Sequence, residues 1–358
     1  MQSDSTVGYY AVIDQIKSKG VTKKITDTVT ACNNLFSDAK AELFDESISG
    51  VLGFFNALLK TQHQIIFIRY TTMLTPFIFL ASILLRIKGK KIIIDVPTPR
   101  CIVWKEMIDS HNNIFYKLIN LSVMALSVSW IFLPANLIIQ YAEESRYFNL
   151  GMTNKTLKIG NGIVIHEEIP LQSAVWPNKE LVLIGAARLA YWHGFDRVMR
   201  AMYELKQENL GYDIRFKVVG DGSELAILKQ MVAELELQEQ VEFTGIKEGT
   251  ELDKVFENAH VGISSLGLYR KNLTEASDLK TREYLSRGFM VIAAGNDIDF
   301  PSENPFRVEI PNDNSIAELK NILRSFGNKK LPNSNLARQY ALNHLSFDAK
   351  LSKIFDLI

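Results

Sequence analysis

Short apolar runs rich in β-branched residues alternate with helical patterns along this chain of 358 residues. The runs have the length of strands, and the predicted strands are residues 7–13, 39–44, 65–69, 91–96, 130–133, 156–159, 181–186, 215–219, 241–244, 261–264 and 290–294. Helical patterns lie between most of them, among them residues 195–208, 224–235, 249–258 and 279–287. This alternation predicts parallel sheets with helices on both faces, and therefore an α/β protein.

The length of the chain predicts two domains, each large enough to bury its own core. The segment 163–179 contains two prolines and no periodicity, which is typical of a linker. We therefore expect one doubly wound domain over residues 1–170 and a second over residues 171–340. Two such domains would face each other across a cleft at the carboxyl ends of their strands, the edge where these folds bind ligands.

Lysine plus arginine equals aspartate plus glutamate, so the formal net charge is zero. A general nucleic-acid binder is usually more basic, which argues against that class of function. Cys32 and Cys101 form neither a disulfide framework nor a metal-ligand spacing, and the first twenty residues lack the pattern of a secretory signal. These features predict a cytoplasmic protein.

Two apolar stretches are candidates for membrane spans. Residues 73–85 are too short and include Pro76, whereas residues 118–142 carry no charge and exceed the roughly 20 residues that a span needs. The second stretch contains several polar residues and Pro134, so we predict a buried helix followed by a buried strand at 130–133. Peripheral contact with the cytoplasmic face of a membrane stays an open alternative.

The stretch 264–288 carries the most specific chemical pattern. It places Glu275 and Glu283 eight residues apart, the first before a helix and the second on it. The helix N-terminus would offer unpaired amides and partial positive charge to a phosphate; its residues are Ser277, Asp278, Leu279 and Lys280. Carboxylates that can bind hydroxyl groups would thus lie beside amides that can bind phosphate. This combination predicts a nucleotide-sugar site. Taken alone, two glutamates at this spacing are commonly a solvated helix face.

Three earlier loops follow predicted strands and end at the same edge of the second sheet. Their candidate residues are Arg188 and His193, then Gly220, Asp221 and Gly222, then Thr244 and Gly245. A cation in the first loop would neutralise a diphosphate, and glycines in the second would let the backbone approach a ligand closely. Each loop alone also fits an ordinary surface turn, but together they favour a binding edge.

The second half contains, in order, GAARLAYWHGFDRV, VVGDGSE, FTG, the pair of glutamates and REYLSRGFMVIAAG. This order resembles the retaining family 4 glycosyltransferases of the GT-B fold, and most closely the members that build bacterial capsule, exopolysaccharide or O-antigen chains. The resemblance covers nearly the whole chain but is sharp only over residues 181–295. The segment 341–358 looks like the C-terminal helix that packs back on the first domain in such enzymes.

The resemblance implies a role for each donor residue. Glu275 would contact hydroxyls of the donor sugar, Glu283 the ribose of the nucleotide, and Arg188 the diphosphate. The family usually has a lysine where this chain has His193, and histidine is largely neutral near pH 7. The resemblance therefore leaves the second cation to be supplied from elsewhere.

Lys280 and Arg270 are the two candidates for that second cation. The family often has glycine where this chain has Asp278, and a carboxylate close to a diphosphate would repel it. We expect Asp278 to turn away from the phosphates and to cap the helix with its side chain.

The first domain would hold the acceptor. Gly20, in the loop predicted to follow the first strand, matches a family loop that approaches donor and acceptor. Many family members have a histidine near the reacting sugar where this chain has Asp95, so Asp95 would orient an acceptor hydroxyl or be a strand-end carboxylate. Pro97 and Pro99 would hold it in place.

The expected function is transfer of a sugar, with retention, from a nucleotide diphosphate-sugar to a glycan acceptor that we expect to be bound to a lipid carrier. Asp297 and Asp299 have the Asp-x-Asp spacing of a metal site in GT-A transferases, but we interpret them as structural, and expect neither metal nor cofactor. Two alternatives stay open: a nucleotide-sugar epimerase with the same fold, and a non-catalytic partner subunit.

Overall fold

The computed structural model describes residues 3–109, 113–171, 179–327 and 331–358. The chain forms two compact units. The first consists of Met1–Val164 together with Phe347–Ile358, and the second of Ile165–Ser346. The division therefore falls six residues before the expected boundary at 170, and the returning C-terminal segment begins at residue 347 rather than 341.

The first unit is built on a six-stranded parallel sheet in the order β2-β1-β3-β4-β5-β6. Its strands are β1 (Ser3–Val12), β2 (Phe36–Phe44), β3 (Ile65–Arg69), β4 (Lys91–Val96), β5 (Leu137–Gln140) and β6 (Thr156–Lys158). The central strands β3, β4 and β5 are buried along almost their whole length. Such continuous burial is typical of a parallel sheet that is covered on both faces.

Helices cover both faces of this sheet. They are α1 (Lys19–Leu35), α2 (Ile48–Lys60), α3 (Thr75–Ile87), α4 (Arg100–Asp109), α5 (Ile114–Leu126) and α12 (Phe347–Phe355). Because successive strand residues point to opposite faces, Tyr9 packs in the core under α1 and α12, whereas Tyr10 packs in the core under α2 and α3. Phe355 of α12 contacts the rings of Phe36 and Phe67, which fixes the C-terminal segment to this unit.

The second unit has its own six-stranded parallel sheet, in the order β12-β11-β10-β7-β8-β9. Its strands are β7 (Glu180–Ala186), β8 (Asp213–Val219), β9 (Val241–Gly245), β10 (Val261–Ile263), β11 (Met290–Ala294) and β12 (Arg307–Ile310). The central strands β7, β10 and β11 are almost wholly buried. Adjacent strands are all parallel, so their carboxyl ends share one edge of the sheet.

The helices of the second unit are α6 (Phe195–Lys206), α7 (Leu225–Glu234), α8 (Gly249–Glu257), α9 (Leu279–Ser286), α10 (Ala317–Ser325) and α11 (Ser334–His344). Helix α6 shows why the sequence pattern was informative. Phe195, Val198, Met199, Met202 and Leu205 follow the i, i+3, i+4, i+7 spacing of one helix face, and all five are buried against the sheet. Burying each contributes about 1.5–3 kcal/mol.

Two predictions for the first unit are wrong. Residues 130–133, predicted as a strand, lie in and just after a single helical turn, Ser129–Phe132, and the strand follows later as β5. Helix α5 was predicted to be buried, but only Asn120 and Met124 are buried on it. Within the described ranges, no helix is both long and apolar enough to cross a membrane.

Candidate functional site

The first two loops at the carboxyl edge of the second sheet are packed backbone against backbone. A Cβ atom at Gly220, where φ is +122°, would lie 1.9 Å from the carbonyl oxygen of Ala187. A Cβ at Gly222 would lie 2.1 Å from that of Leu189. Both positions require glycine because the neighbouring loop leaves no space for a Cβ atom. They fix the position of Arg188, which lies between Ala187 and Leu189.

A cavity of about 640 Å³ opens at this edge. It is lined by residues that follow β7, β8 and β9, namely Ala186, Ala187, Arg188, Val219, Gly220, Asp221, Gly222, Ile246, Lys247 and Leu252. Thr244 and Gly245 end β9 immediately before the lining residue Ile246, and the Gly245 carbonyl accepts the amide of Gly220 at 2.8 Å. The volume lies within the usual range of small-molecule sites, about 300–1,000 Å³.

Arg188 supplies an exposed cation to the cavity wall. In the part of the chain that the structure describes, no carboxylate forms an ion pair with its guanidinium. Asp221, also on the wall, accepts the amide of Gly222 at 2.7 Å and so folds back on its own turn.

Lys280 and His193 form the second basic element. The Lys280 ammonium donates to Nδ1 of His193 at 2.7 Å, while Nε2 of His193 donates to the carbonyl of Arg188 at 3.0 Å. Burial and the charge of Lys280 lower the pKa of His193 to about 4, so its ring is neutral at pH 7. His193 is therefore a neutral support between the Lys280 ammonium and the backbone of Arg188.

The cationic state of Lys280 is opposed by its surroundings. Burial lowers the pKa of the Lys280 ammonium to about 8, although the carboxylate of Asp278 favours the charged form. Burial works against the charge of Asp278 as well, but Lys280 and the hydroxyls of Ser265 and Ser264 hold the pKa of Asp278 below its usual value. Lys280 thus remains mostly protonated at pH 7 but loses its proton when the pH rises by about one unit.

Asp278 does not cap helix α9 with its side chain, contrary to expectation. It occupies the N-cap position, but its carboxylate makes no capping hydrogen bond and accepts instead from the Ser264 hydroxyl at 3.1 Å. The Ser264 hydroxyl also contacts that of Thr281 at 2.6 Å. The carboxylate is therefore directed at the end of β10, and the amides of the first turn of α9, from Leu279 onward, lack a side-chain acceptor from it.

Arg270, the other candidate for the second cation, is paired with a carboxylate. Its guanidinium donates to both carboxylate oxygens of Asp196, at 2.8 and 2.7 Å, and to the Tyr191 carbonyl at 2.6 Å. The hydrogen bonds to Asp196 raise the pKa of Arg270 further above its usual value. Of the two candidates from the sequence, Lys280 is the one whose cation contacts the His193 ring, whereas the Arg270 guanidinium contacts the same loop at the Tyr191 carbonyl while it is paired with Asp196.

Glu275 is held by backbone pairing. Glu275 forms an isolated parallel β-bridge with Asn296. The amide of Asn296 donates to the carbonyl of Thr274 at 2.9 Å, and the amide of Ala276 donates to the carbonyl of Asn296 at 3.0 Å. The segment that carries Glu275 is thereby fixed to the chain just beyond β11. Ser277 follows on this segment before α9 begins.

Glu283 lies on α9, with its side chain partly exposed and 3.3 Å from the guanidinium of Arg287. Arg287 also pairs with Asp253 of α8 at 2.8 Å. Helix α9 is tied to the end of β7 because the amide of Ala186 donates to the Tyr284 hydroxyl at 2.8 Å. Glu283 therefore stands on a helix anchored to the cavity wall.

Asp297 and Asp299 form an ion network with a partner that the sequence did not show. Both carboxylates accept from the buried guanidinium of Arg282, at 2.7 Å to Asp297 and 2.6 Å to Asp299. Arg282 also donates to the backbone carbonyl of Asp278 at 3.2 Å, which ties this ion network to the start of α9. Among the described residues, no cluster of three or more potential metal ligands occurs.

Of the two residues proposed for the acceptor, Gly20 lies elsewhere than expected, whereas Asp95 lies at the end of the predicted strand. Gly20 is in the first turn of α1, with open space around it, rather than in the preceding loop. Asp95 is buried on β4, where it accepts from the Tyr9 hydroxyl and from Arg69 at 3.1 Å. One carboxylate oxygen of Asp95 is thus paired inside the first unit, and the residue lines a small cavity there.

Comparisons with known proteins agree with this architecture. Residues 168–295 match the family described as glycosyl transferases group 1. The chain is similar in structure to HepE of Anabaena in complex with UDP, with a TM-score of 0.65, 15% identity, and 99% of this chain and 100% of that chain covered. No curated protein sequence matches the chain.

Two further solved structures show the same likeness. The lipopolysaccharide outer core galactosyltransferase WaaB has a TM-score of 0.63 and 11% identity, with 99% of this chain and 100% of that chain covered. A glycosyltransferase from Rickettsia africae has a TM-score of 0.64 and 14% identity, with 99% and 97% covered. At these identities the likeness shows the fold, and the fold is GT-B.

Proposed function

We propose that the chain is a glycosyltransferase that takes a sugar from a nucleoside diphosphate-sugar and passes it to a glycan acceptor. One observation carries the proposal: Arg188 lines a cavity on the carboxyl edge of the second sheet, and His193 joins the loop of Arg188 to Lys280. Two cations near a helix N-terminus suit a diphosphate, whose charge grows as it leaves. The match to glycosyl transferases group 1 over this region supports the same reaction.

The cations and carboxylates take different parts in this reaction. Arg188 and Lys280 would stabilise the departing diphosphate, while the amides at the start of α9 contact a phosphate oxygen. Glu275 would hold hydroxyls of the donor sugar, and Glu283 those of the ribose. We further propose retention of configuration, as in family 4 glycosyltransferases, with the leaving phosphate accepting the proton of the acceptor hydroxyl.

UDP-sugars are the first donors to test. HepE was solved with UDP and, separately, with UDP-glucose. We propose a UDP-sugar donor for this chain on that likeness of fold. We also propose that the acceptor is a lipid-linked glycan of a bacterial surface polysaccharide, at the cytoplasmic face of the membrane.

The non-catalytic alternative rested on the missing lysine at residue 193 and on Asp278. Lys280 provides a cation at the same loop, and Asp278 is directed toward Ser264. Both departures thus have a compensating contact, which favours an active enzyme over an inactive partner subunit.

Thermal unfolding with a panel of UDP-, GDP- and ADP-sugars tests the proposal. A donor that binds the native state raises its melting temperature. We expect a UDP-sugar to do so, and Arg188→Gln and Lys280→Gln each to reduce the rise, because each removes a cation from the phosphates. Lys254→Gln, which removes an exposed charge from α8, is the matched control. No shift with any nucleotide-sugar would refute the proposed function.

A further inference from the structure

Helix α5 presents its apolar side to solvent. Phe115, Ile119 and Leu126 are 74%, 60% and 72% exposed, and Leu118 is exposed on the same side. At about 100° per residue, these four positions fall within one face of the helix. The buried side carries two residues, the polar Asn120 and Met124. Ordinary surface helices have the opposite arrangement, so an exposed stripe of this kind marks a contact surface.

Apolar residues beyond α5 extend this stripe. Trp130 is partly exposed, its indole N–H donates to the carbonyl of Leu126 at 2.8 Å, and its ring packs edge-on against Phe79 of α3 at 5.0 Å. Leu133 follows and is exposed. We call this surface the apolar face, and define it by Phe115, Leu118, Ile119, Leu126, Trp130 and Leu133.

The charges are all basic on residues 113–142, which carry the apolar face, and on residues 70–90, which include Phe79 beside Trp130. Residues 113–142 contain one charged side chain, Lys117, and residues 70–90 contain three basic residues and no acidic one. Arg86 bonds the side chain of Asn136 at 2.9 Å, and Lys155 donates to the Leu133 carbonyl at 2.9 Å. Both cations therefore lie at the rim of the face, near Leu133.

We infer that the apolar face docks on the surface of an anionic lipid bilayer. Interfacial helices combine exposed aromatic and aliphatic side chains with basic residues in this way. Each cation near an anionic surface strengthens partition about fivefold. Trp130 suits the boundary region, because its ring is apolar and its N–H is polar.

A second copy of the chain is a poorer occupant. In a two-fold dimer the same patch meets itself, so the two basic rims would face each other and repel. Spanning is excluded for α5 itself, since its 13 residues fall short of the roughly 20 that a bilayer requires. The inference goes beyond the proposed transfer reaction and does not depend on donor binding.

Vesicle flotation of the full chain, without nucleotide, tests the inference. We expect binding to vesicles of mixed phosphatidylcholine and phosphatidylglycerol, weaker binding to phosphatidylcholine alone, and a decrease with added salt. Phe115→Ser combined with Leu118→Ser should lower the partition by about tenfold or more. Ile227→Ser, at an exposed position on α7 of the second unit, is the matched control and should bind like the native chain.

A spectroscopic measurement locates the contact. Lipids with brominated acyl chains should quench tryptophan fluorescence of the bound protein, and Trp130→Phe should remove most of that quenching. Circular dichroism checks that each variant is folded. If the double variant does not fold, Ile119→Ser is used in its place.

Absence of binding to anionic vesicles would overturn the inference. Equal binding by the native chain and the serine variants would overturn it too. The inference would also be overturned if the native chain did not float with vesicles but formed a dimer, and the serine variants were monomers. Sedimentation velocity distinguishes that case.

Discussion

The two units share one architecture, a parallel sheet of six strands between layers of helices, but they differ in what they leave exposed. In the second unit, the Arg188 cation is exposed at the carboxyl edge, and His193 joins the backbone of Arg188 to the partly buried Lys280. In the first unit, the charges of Asp95 and Arg69 are paired in the interior, and large apolar side chains remain on the surface.

The difference indicates that one fold can serve two recognition tasks. Loops at the strand ends of the second unit are suited to an anionic, hydrophilic ligand, and α5 of the first unit to an apolar surface. The sheets themselves do not determine either task. Function follows from the residues placed on the fold.

The largest expected effect on stability comes from a substitution that breaks the ion network of the second unit. Arg282→Met leaves the buried carboxylates of Asp297 and Asp299 without their guanidinium. We expect the free energy of unfolding to decrease by about 3–5 kcal/mol, because uncompensated buried charges are costly. Urea unfolding followed by circular dichroism measures it.

The exposed pair of Arg215 and Glu180 provides the control for that measurement. Arg215→Met should change the free energy of unfolding by less than about 1 kcal/mol, since surface ion pairs contribute little. A similar loss in both variants would contradict the structural role assigned to Asp297 and Asp299.

A second prediction separates catalysis from stability at the edge of the second sheet. Glu275→Ala should lower the rate of sugar transfer by about 10²–10³-fold, the scale of losing a group that acts in the transition state. The melting temperature should stay close to that of the native chain, because the backbone bridge to Asn296 holds this segment. Steady-state kinetics with a UDP-sugar and thermal unfolding give the two values.

Glu283→Ala is the useful contrast, since it should weaken donor binding by about tenfold and change turnover less. A Glu275→Ala enzyme with native turnover would exclude Glu275 from the reaction.

The smallest expected effect is a pH dependence. Because the pKa of Lys280 is about 8, the cation is lost as the pH rises through that value. Donor affinity should therefore decrease between pH 7 and pH 9, and Lys280→Arg, which keeps its charge, should remove that decrease. Calorimetric titration with UDP across this range measures it. A native chain whose affinity stays constant up to pH 9 would show that Lys280 does not bind the phosphates.

Stability should change in the opposite direction over the same range. Lysine in the unfolded chain titrates near its usual value, so between the two pKa values the unfolded state binds more protons than the folded state. The contribution of Lys280 to the free energy of unfolding then rises with pH. In Lys280→Gln this slope should be smaller.

The sequence predicted the strands of the second unit well where they are buried on both faces. Strands β7, β10 and β11 are short runs of apolar residues, and hydrophobic periodicity detects such runs. It did not detect the edge strand β12, in which Arg307 and Glu309 alternate with apolar residues. The apolar residues at 130–133 misled for the opposite reason, because an apolar run can be a helical turn with an exposed side.

The candidate site was predicted in outline but not in its contacts. The order of loops placed Arg188 and Lys280 at one edge, since carboxyl ends of parallel strands coincide. The bond between Arg270 and Asp196 joins residues 74 positions apart, and no local pattern predicts it. His193 was expected near the phosphates and largely neutral, whereas its tautomer and the direction in which its pKa moves follow only from its neighbours.

The short bridge between Glu275 and Asn296 has a consequence for motion. The amides of Ala276 and Asn296 are hydrogen-bonded as they would be in a sheet, so they should exchange slowly with heavy water even before any ligand arrives. The glutamate is then presented by an already ordered backbone, and little conformational entropy is lost when a sugar is bound. The entropic cost of ordering this backbone is thus met during folding and does not reduce the affinity for a ligand.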